Sequence, residues 1–258
     1  VSQLIGLDDR NNWAELQSNL CSVMIAAVRR LHSGMAPIGD RLMTSLLTLI
    51  QNSAKQPTVL EDAFVAVGTV IVALEADFEK YLDAFLPFLV EGLRNHEEHQ
   101  LCTISVGIVG DVCRSLAERA TKYSETLVLA LFEDLQSPVL HRNVKPHILS
   151  CFGDIAMAIG PAFESYLPTA MAVLQQASMV QNAPDTADYE MVEYVNDLRE
   201  GIAEAYVGIV SGFRMAGKAD VLLPYMDYTL AFVGLVASDS IDRSETLLRS
   251  TIGLVGDL

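Results

Sequence analysis

Val67-Gly68-Thr69-Val70, Val109-Gly110-Asp111-Val112 and Phe152-Gly153-Asp154-Ile155 are one short phrase at three places, with glycines 42 and 43 residues apart. A tyrosine follows each glycine at a distance of 13, at Tyr81, Tyr123 and Tyr166. The phrase returns at Val207-Gly208-Ile209-Val210 and at Val255-Gly256-Asp257-Leu258. A fixed period in the low forties is the mark of a stacked helical repeat, in which each unit buries its apolar face only against its neighbours. Such arrays present long surfaces, so binding another macromolecule is the function class to expect.

Apolar residues recur at spacings of three and four almost throughout, and no strand-like alternation stands out. Eleven helices are expected. They run about Asp9–Leu31, a second up to Gln51, Pro57–Glu75, Asp77–Asn95, Glu97–Ala117, Thr121–Gln136, His141–Ile159, Ala162–Ser178, Thr186–Phe213, Ala219–Val236 and Ile241–Leu258. Ser33-Gly34-Met35-Ala36-Pro37 breaks the first pair, and Gly160-Pro161 is a stop and restart signal. Each unit is then a helical hairpin. The tyrosine opens its first helix, A, and the glycine lies near the end of its second, B. A glycine inside a helix costs about 1 kcal/mol relative to alanine, and its return at each unit predicts close helix-to-helix approach there. The period also locates an insertion. Tyr81 to Gly110 is 29 residues and Tyr123 to Gly153 is 30, but Tyr166 to Gly208 is 42. The extra residues fall around Ser178–Tyr189, in and beside the polar loop Gln181-Asn182-Ala183-Pro184-Asp185.

The 258 residues carry 33 acids against 17 bases, a net charge of −16. That balance disfavours nucleic acid, whose phosphates need a basic patch, and favours a basic protein segment. Cys21, Cys102, Cys113 and Cys151 are far apart within apolar helical stretches and read as reduced core thiols of an intracellular protein. No uncharged apolar stretch of about 18 residues occurs, so no membrane insertion is expected. His96, His99 and Cys102 have ligand-like types and spacing but no apparent fourth ligand. No phosphate-binding loop, dinucleotide fingerprint or nucleophile elbow is present, so no cofactor and no enzyme is expected. The chain lacks an initiator methionine and stops mid-phrase, which reads as one continuous array, residues 1–258, cut from a longer one and holding about five and a half repeats.

Two constellations carry the functional reading. Glu190, Glu193, Asp197, Glu200 and Glu204 are spaced 3, 4, 3 and 4 residues apart, which puts five carboxylates on one side of one helix. Like charges so spaced repel, and Arg199 offsets only part of this. The stripe is either a solvated face or an anion strip for a basic helix. Asp111, Asp154 and Asp257 recur at one phase of the repeat and either extend that lining or bond a neighbouring repeat. On the A helices, Phe85, Phe88 and Leu89, then Leu127, Leu131 and Phe132, then Tyr166, Met171 and Leu174 recur from unit to unit, and most of these are core.

Val144-Lys145-Pro146-His147-Ile148-Leu149-Ser150-Cys151-Phe152-Gly153-Asp154-Ile155 resembles the B helix of a HEAT repeat, with Lys145 at the usual arginine position. Tyr81-Leu82-Asp83-Ala84-Phe85-Leu86-Pro87-Phe88-Leu89 resembles the A helix. The fold this implies is all-α, a right-handed α-solenoid of antiparallel helical hairpins. Val106-Gly107-Ile108-Val109-Gly110-Asp111-Val112-Cys113-Arg114, the stretches His141–Ser150 and Asp188–Tyr194, and Leu174-Gln175-Gln176-Ala177-Ser178 are similar to the C-terminal half of the importin-β, or karyopherin-β, family of nuclear import receptors. That resemblance implies a transport receptor moving between cytoplasm and nucleus through the nuclear pore. It implies that the acidic concave face grips the basic importin-β-binding segment of importin-α. It further implies that shallow grooves between A helices, for which Phe85, Phe88, Leu89, Leu127, Leu131, Tyr166, Met171 and Leu174 are the candidates, accept the phenylalanines of FG nucleoporins, and that the GTPase Ran releases the load. The alternatives are a HEAT scaffold that assembles an enzyme, of the phosphatase-scaffold type, and another karyopherin that binds cargo directly.

Overall fold

The computed structural model describes residues 13–180, 189–238 and 244–258. The beginning of the helix expected from Asp9, the loop Gln181–Asp185 with the insertion beside it, and the beginning of the helix expected from Ile241 fall at least partly outside those residues. The described residues form two compact units, one ending at Leu116 and one starting at Ala117. No strand occurs among them.

In the first unit α1 (Ala14–Leu31), α2 (Gly39–Asn52), α3 (Pro57–Leu74), α4 (Glu79–Leu93) and α5 (His99–Leu116) follow in order. Pro57 opens α3, where the missing amide hydrogen is harmless. The B helices α1, α3 and α5 pack side by side, with α2 against α3 and α4 against α5. In the second unit come α6 (Thr121–Gln136), α7 (Val144–Ile159), α8 (Leu167–Ser178), α9 (Tyr189–Met215), α10 (Met226–Ser238) and α11 (Glu245–Asp257). The long B helix α9 lies between α7 and α11. Two stretches, Val144–Ser165 and Ala219–Ser238, are long and apolar enough to span a bilayer, but the first is half buried inside its unit, as a core helix is.

A short 3₁₀ segment precedes most A helices, and α4, α8 and α10 start later than periodicity alone predicts, at Glu79, Leu167 and Met226, while α6 starts at Thr121 as expected. These segments are His32–Ile38, Glu75–Phe78, Ala117–Ala120, Gly160–Ser165 and Ala219–Tyr225. The first four begin on a residue of positive φ: His32 at 46°, Glu75 at 50°, Ala117 at 49° and Gly160 at 51°. That residue closes the B helix and turns the chain. Three positions later a side chain drops into the core: Met35, Phe78, Ala120 and Phe163 are each at most 1% exposed. The tyrosines of the repeat stand three residues further on. Tyr81 packs on Phe78 with ring centroids 5.7 Å apart, and Tyr166 on Phe163 at 5.8 Å. Tyr123 follows the small Ala120 and is itself buried. The ruler tyrosine thus belongs to the junction between repeats.

The phrase glycines split into two kinds. A methyl group on Gly153 would stand 2.7 Å from the carbonyl oxygen of Glu204 and 2.9 Å from the Cα of Ala205. One on Gly208 would strike the backbone of Gly153. Gly201 meets Pro146 and Gly212 meets Ala156 in the same way, so α7 and α9 touch backbone to backbone along four small positions. At Gly68 the contact is looser, 3.5 Å to Asp111 and Ile108. At Gly256 nothing lies within 4 Å, so the expectation of close approach fails at that copy of the phrase.

Candidate functional site

The acidic stripe occupies the side of α9 opposite its core face. Val195, Leu198, Ile202 and Ala205 are at most 2% exposed and hold the helix down, with Arg199 also buried among them. The carboxylates rise between α7 and α11. Glu190 accepts from Arg142 at 3.1 Å, and the Arg142 guanidinium lies 5.6 Å from the Tyr194 ring centre. Glu204 accepts from the Ser150 hydroxyl at 2.6 Å. Both partners come from α7 or the turn before it. On the other flank the Ser244 hydroxyl donates to Glu200 and accepts from the Leu247 amide at 3.0 Å, so the N-cap of α11 is tied to the stripe. Glu193 and Asp197 are exposed.

Crowding of like charges is visible at Asp197. Partial burial, then the charges of Glu200 and Glu193, hold its carboxyl above the ordinary aspartate range, and His147 opposes them. The middle of the stripe therefore holds repelling carboxylates that a cation would relieve.

The repeat-phase aspartates are placed differently. Asp111 pairs with Arg114 of its own helix at 2.8 Å. Asp257 pairs with Arg214 of α9 at 2.6 Å, a bond to the neighbouring repeat. Asp154 is half-buried on α7. Asp111 and Asp257 each carry a partner cation and add little open negative field.

On the A helices the candidate groove residues separate by burial. Phe85, Leu89, Leu127, Leu131, Met171 and Leu174 are at most 2% exposed and belong to the core. Only Phe88 and Tyr166 of that set reach the surface, both half-buried, as is Phe132. Phe88 does line a cleft. A space of about 140 Å³ opens between α2 and α4, walled by Ile50, Leu60, Phe64, Phe88 and Leu101 with Asn95 at its edge. Cys102 donates its thiol hydrogen to the Leu93 carbonyl at 2.9 Å. Among the described residues no group of His, Cys, Asp and Glu is arranged to hold a metal.

Sequence reasoning found the stripe but not its fastenings. Arg142, His147, Ser150 and Ser244 come from other helices and turns, and no spacing rule connects them to α9.

Comparison with known proteins follows the same architecture. A model of the family described as "Importin subunit beta-1-like, TPR repeats" matches residues 1–258. A repeat of 42 to 43 residues is nearer the HEAT length than the tetratricopeptide length; both are stacked helical hairpins. The chain is 45% identical to importin subunit beta-1 of Schizosaccharomyces pombe over 257 residues, covering all of this chain and 30% of that protein. It is 38% identical to importin subunit beta-1 of Arabidopsis thaliana over 259 residues, covering 98% of this chain and 29% of that one. A crystal structure of importin beta superposes with a TM-score of 0.91 at 42% identity, over 95% of this chain and 29% of that chain. Kap95 in its complex with Nup1 superposes with a TM-score of 0.87 at 31% identity, over 99% of this chain and 30% of that chain. Kap95p in a structure with RanGDP superposes with a TM-score of 0.82 at 32% identity, over 99% of this chain and 30% of that chain. The chain spans about 30% of the length of the curated relatives it matches. It is an all-α HEAT-repeat solenoid segment, and it belongs to the importin subunit beta-1 family.

Proposed function

We propose that this chain is the cargo-gripping segment of a nuclear transport receptor, and that it works by binding and performs no catalysis. The observation that carries this reading is the stripe from Glu190 to Glu204, five carboxylates on one helix with Glu193 and Asp197 open to solvent. A basic helix laid along it would relieve the repulsion from Glu200 and Glu193 that adds to burial in raising Asp197. The natural candidate is the basic importin-β-binding segment of importin-α. Ran and FG nucleoporins are further partners, supported by the relatives solved with RanGDP and with Nup1. The place for an FG phenylalanine is the cleft between α2 and α4 beside Phe88. The receptor would act in cytoplasm and nucleus and at the nuclear pore.

The test is a titration of a basic importin-β-binding peptide at two salt concentrations, against wild type and against Glu193→Lys with Asp197→Lys. Among the described residues those two make no hydrogen bond that holds a neighbouring helix, so their reversal is expected to spare the fold. Binding that is lost in the variant and weakened by salt supports the stripe. Unchanged binding overturns it.

A further inference from the structure

The B helices of the first unit leave a second feature, of opposite electrostatic character. Between α1, α3 and α5 lies a cleft of about 370 Å³, within the range of small-ligand pockets. Its walls are apolar, with Val65, Val72, Ile104 and Ile108 lining it, and open space lies over Gly107. Val72 is 58% exposed there, although it is a large aliphatic side chain on a helix.

Gly107 is the informative residue. It sits in the middle of α5, one turn before the phrase glycine, where glycine is costly relative to alanine. Close packing explains Gly153 and Gly208, but a methyl group on Gly107 would meet nothing within 4 Å. Its missing side chain keeps the cleft open. The charges at the ends set the selectivity. Arg29 and His32, from the end of α1, stand at one end. Asp111 also lines the cleft, its carboxylate near Gly68 and paired with Arg114 at 2.8 Å. Among the described residues, the lining charge left over once Asp111 is paired is the cation of Arg29.

We propose that the cleft docks a protein segment that inserts one apolar side chain and carries carboxylates beside it, which meet Arg29. The apolar walls reject a charged anchor, and Arg29 disfavours a basic flank. The chain then holds two sites of opposite preference, the stripe of α9 for basic segments and this cleft for acidic-flanked apolar ones.

The experiment uses the whole chain and two short peptides, one with a central leucine flanked by glutamates and one with the same leucine flanked by lysines. Methyl resonances of Val65, Val72 and Ile104 report binding, and a melting curve of each variant checks its fold. The glutamate peptide is expected to shift those methyls and bind at least tenfold more tightly than the lysine peptide. Gly107→Leu, which fills the open space, abolishes this. Arg29→Glu, on an exposed helix end, reverses the preference between the two peptides and keeps the test decisive if Gly107→Leu unfolds. Glu193→Lys with Asp197→Lys leaves binding unchanged, which separates this site from the stripe. The proposal is overturned if neither peptide shifts those methyls, if the lysine peptide binds as well, or if Arg29→Glu changes nothing.

Discussion

The backbone of Gly153 occupies the space that a methyl group on Gly208 would need. Two copies of the repeated glycine, 55 residues apart in sequence, are therefore one contact in space. Close packing of this kind leaves no room for a side chain.

Gly208→Ala is expected to destabilise the second unit by about 1–3 kcal/mol through overpacking of α7 against α9. Gly256→Ala, at the same place in the phrase but with open space around it, is expected to be neutral or to gain up to about 1 kcal/mol. Urea unfolding of the two variants measures the difference.

The junction residues give a paired prediction. Gly160 takes a φ of 51° where Ala117 takes 49° in the preceding repeat. Gly160→Ala imposes a sparsely populated backbone on a residue with a Cβ and costs about 1–3 kcal/mol. Ala117→Gly relieves the same strain, but its gain is smaller because glycine has more freedom to lose on folding. Thermal melts should show Gly160→Ala lowered and Ala117→Gly unchanged or raised.

Asp197 supplies a pH dependence. Its folded carboxyl titrates above the ordinary aspartate range, chiefly through burial and then through Glu200 and Glu193. The folded state thus binds more protons than the unfolded state between the ordinary aspartate value and the raised one. Stability falls as pH rises through that window. Asp197→Asn is expected to flatten this part of the curve and to be more stable than wild type at neutral pH. Unfolding midpoints measured from acid to neutral pH test both statements. A basic partner lowers the raised value, so it should bind more tightly above the window than within it.

Phe88 and Phe85 separate surface from core on one helix. Phe88→Ala is expected to weaken an FG peptide while the fold holds. Phe85, which is 0% exposed and packs edge-on to Phe64 with centroids 5.5 Å apart, is expected to cost about 3–5 kcal/mol as Phe85→Ala. Amide shifts on FG titration and a melting curve distinguish the two.

The repeat, the helices and the stripe were legible because each obeys a spacing rule. Thr121–Gln136 was placed to the residue, since apolar periodicity and flanking breaks agree there. The late starts of α4, α8 and α10 were not. The positive φ that governs them recurs at His32, Glu75, Ala117 and Gly160, and only the last is a glycine. Three different side chains share one backbone state, so composition hides the period. Which groove candidates reach the surface was hidden for a related reason. Periodicity identifies the apolar face of an A helix, but Phe85 and Phe88 are both apolar and differ only in what the neighbouring helices cover.

The seam of Gly201, Gly208 and Gly212 against Pro146, Gly153 and Ala156 has a mechanical meaning. No side chains stand between the two backbones there, so the joint has no soft layer to compress. The α9–α11 joint runs through side chains, the Ser244 hydroxyl on Glu200 and Arg214 on Asp257. A pull on the stripe is therefore expected to move α7 and α9 together, with the give taken up at α11. A partner that swaps Glu200 away from Ser244 would loosen the compliant side and leave the stiff one untouched.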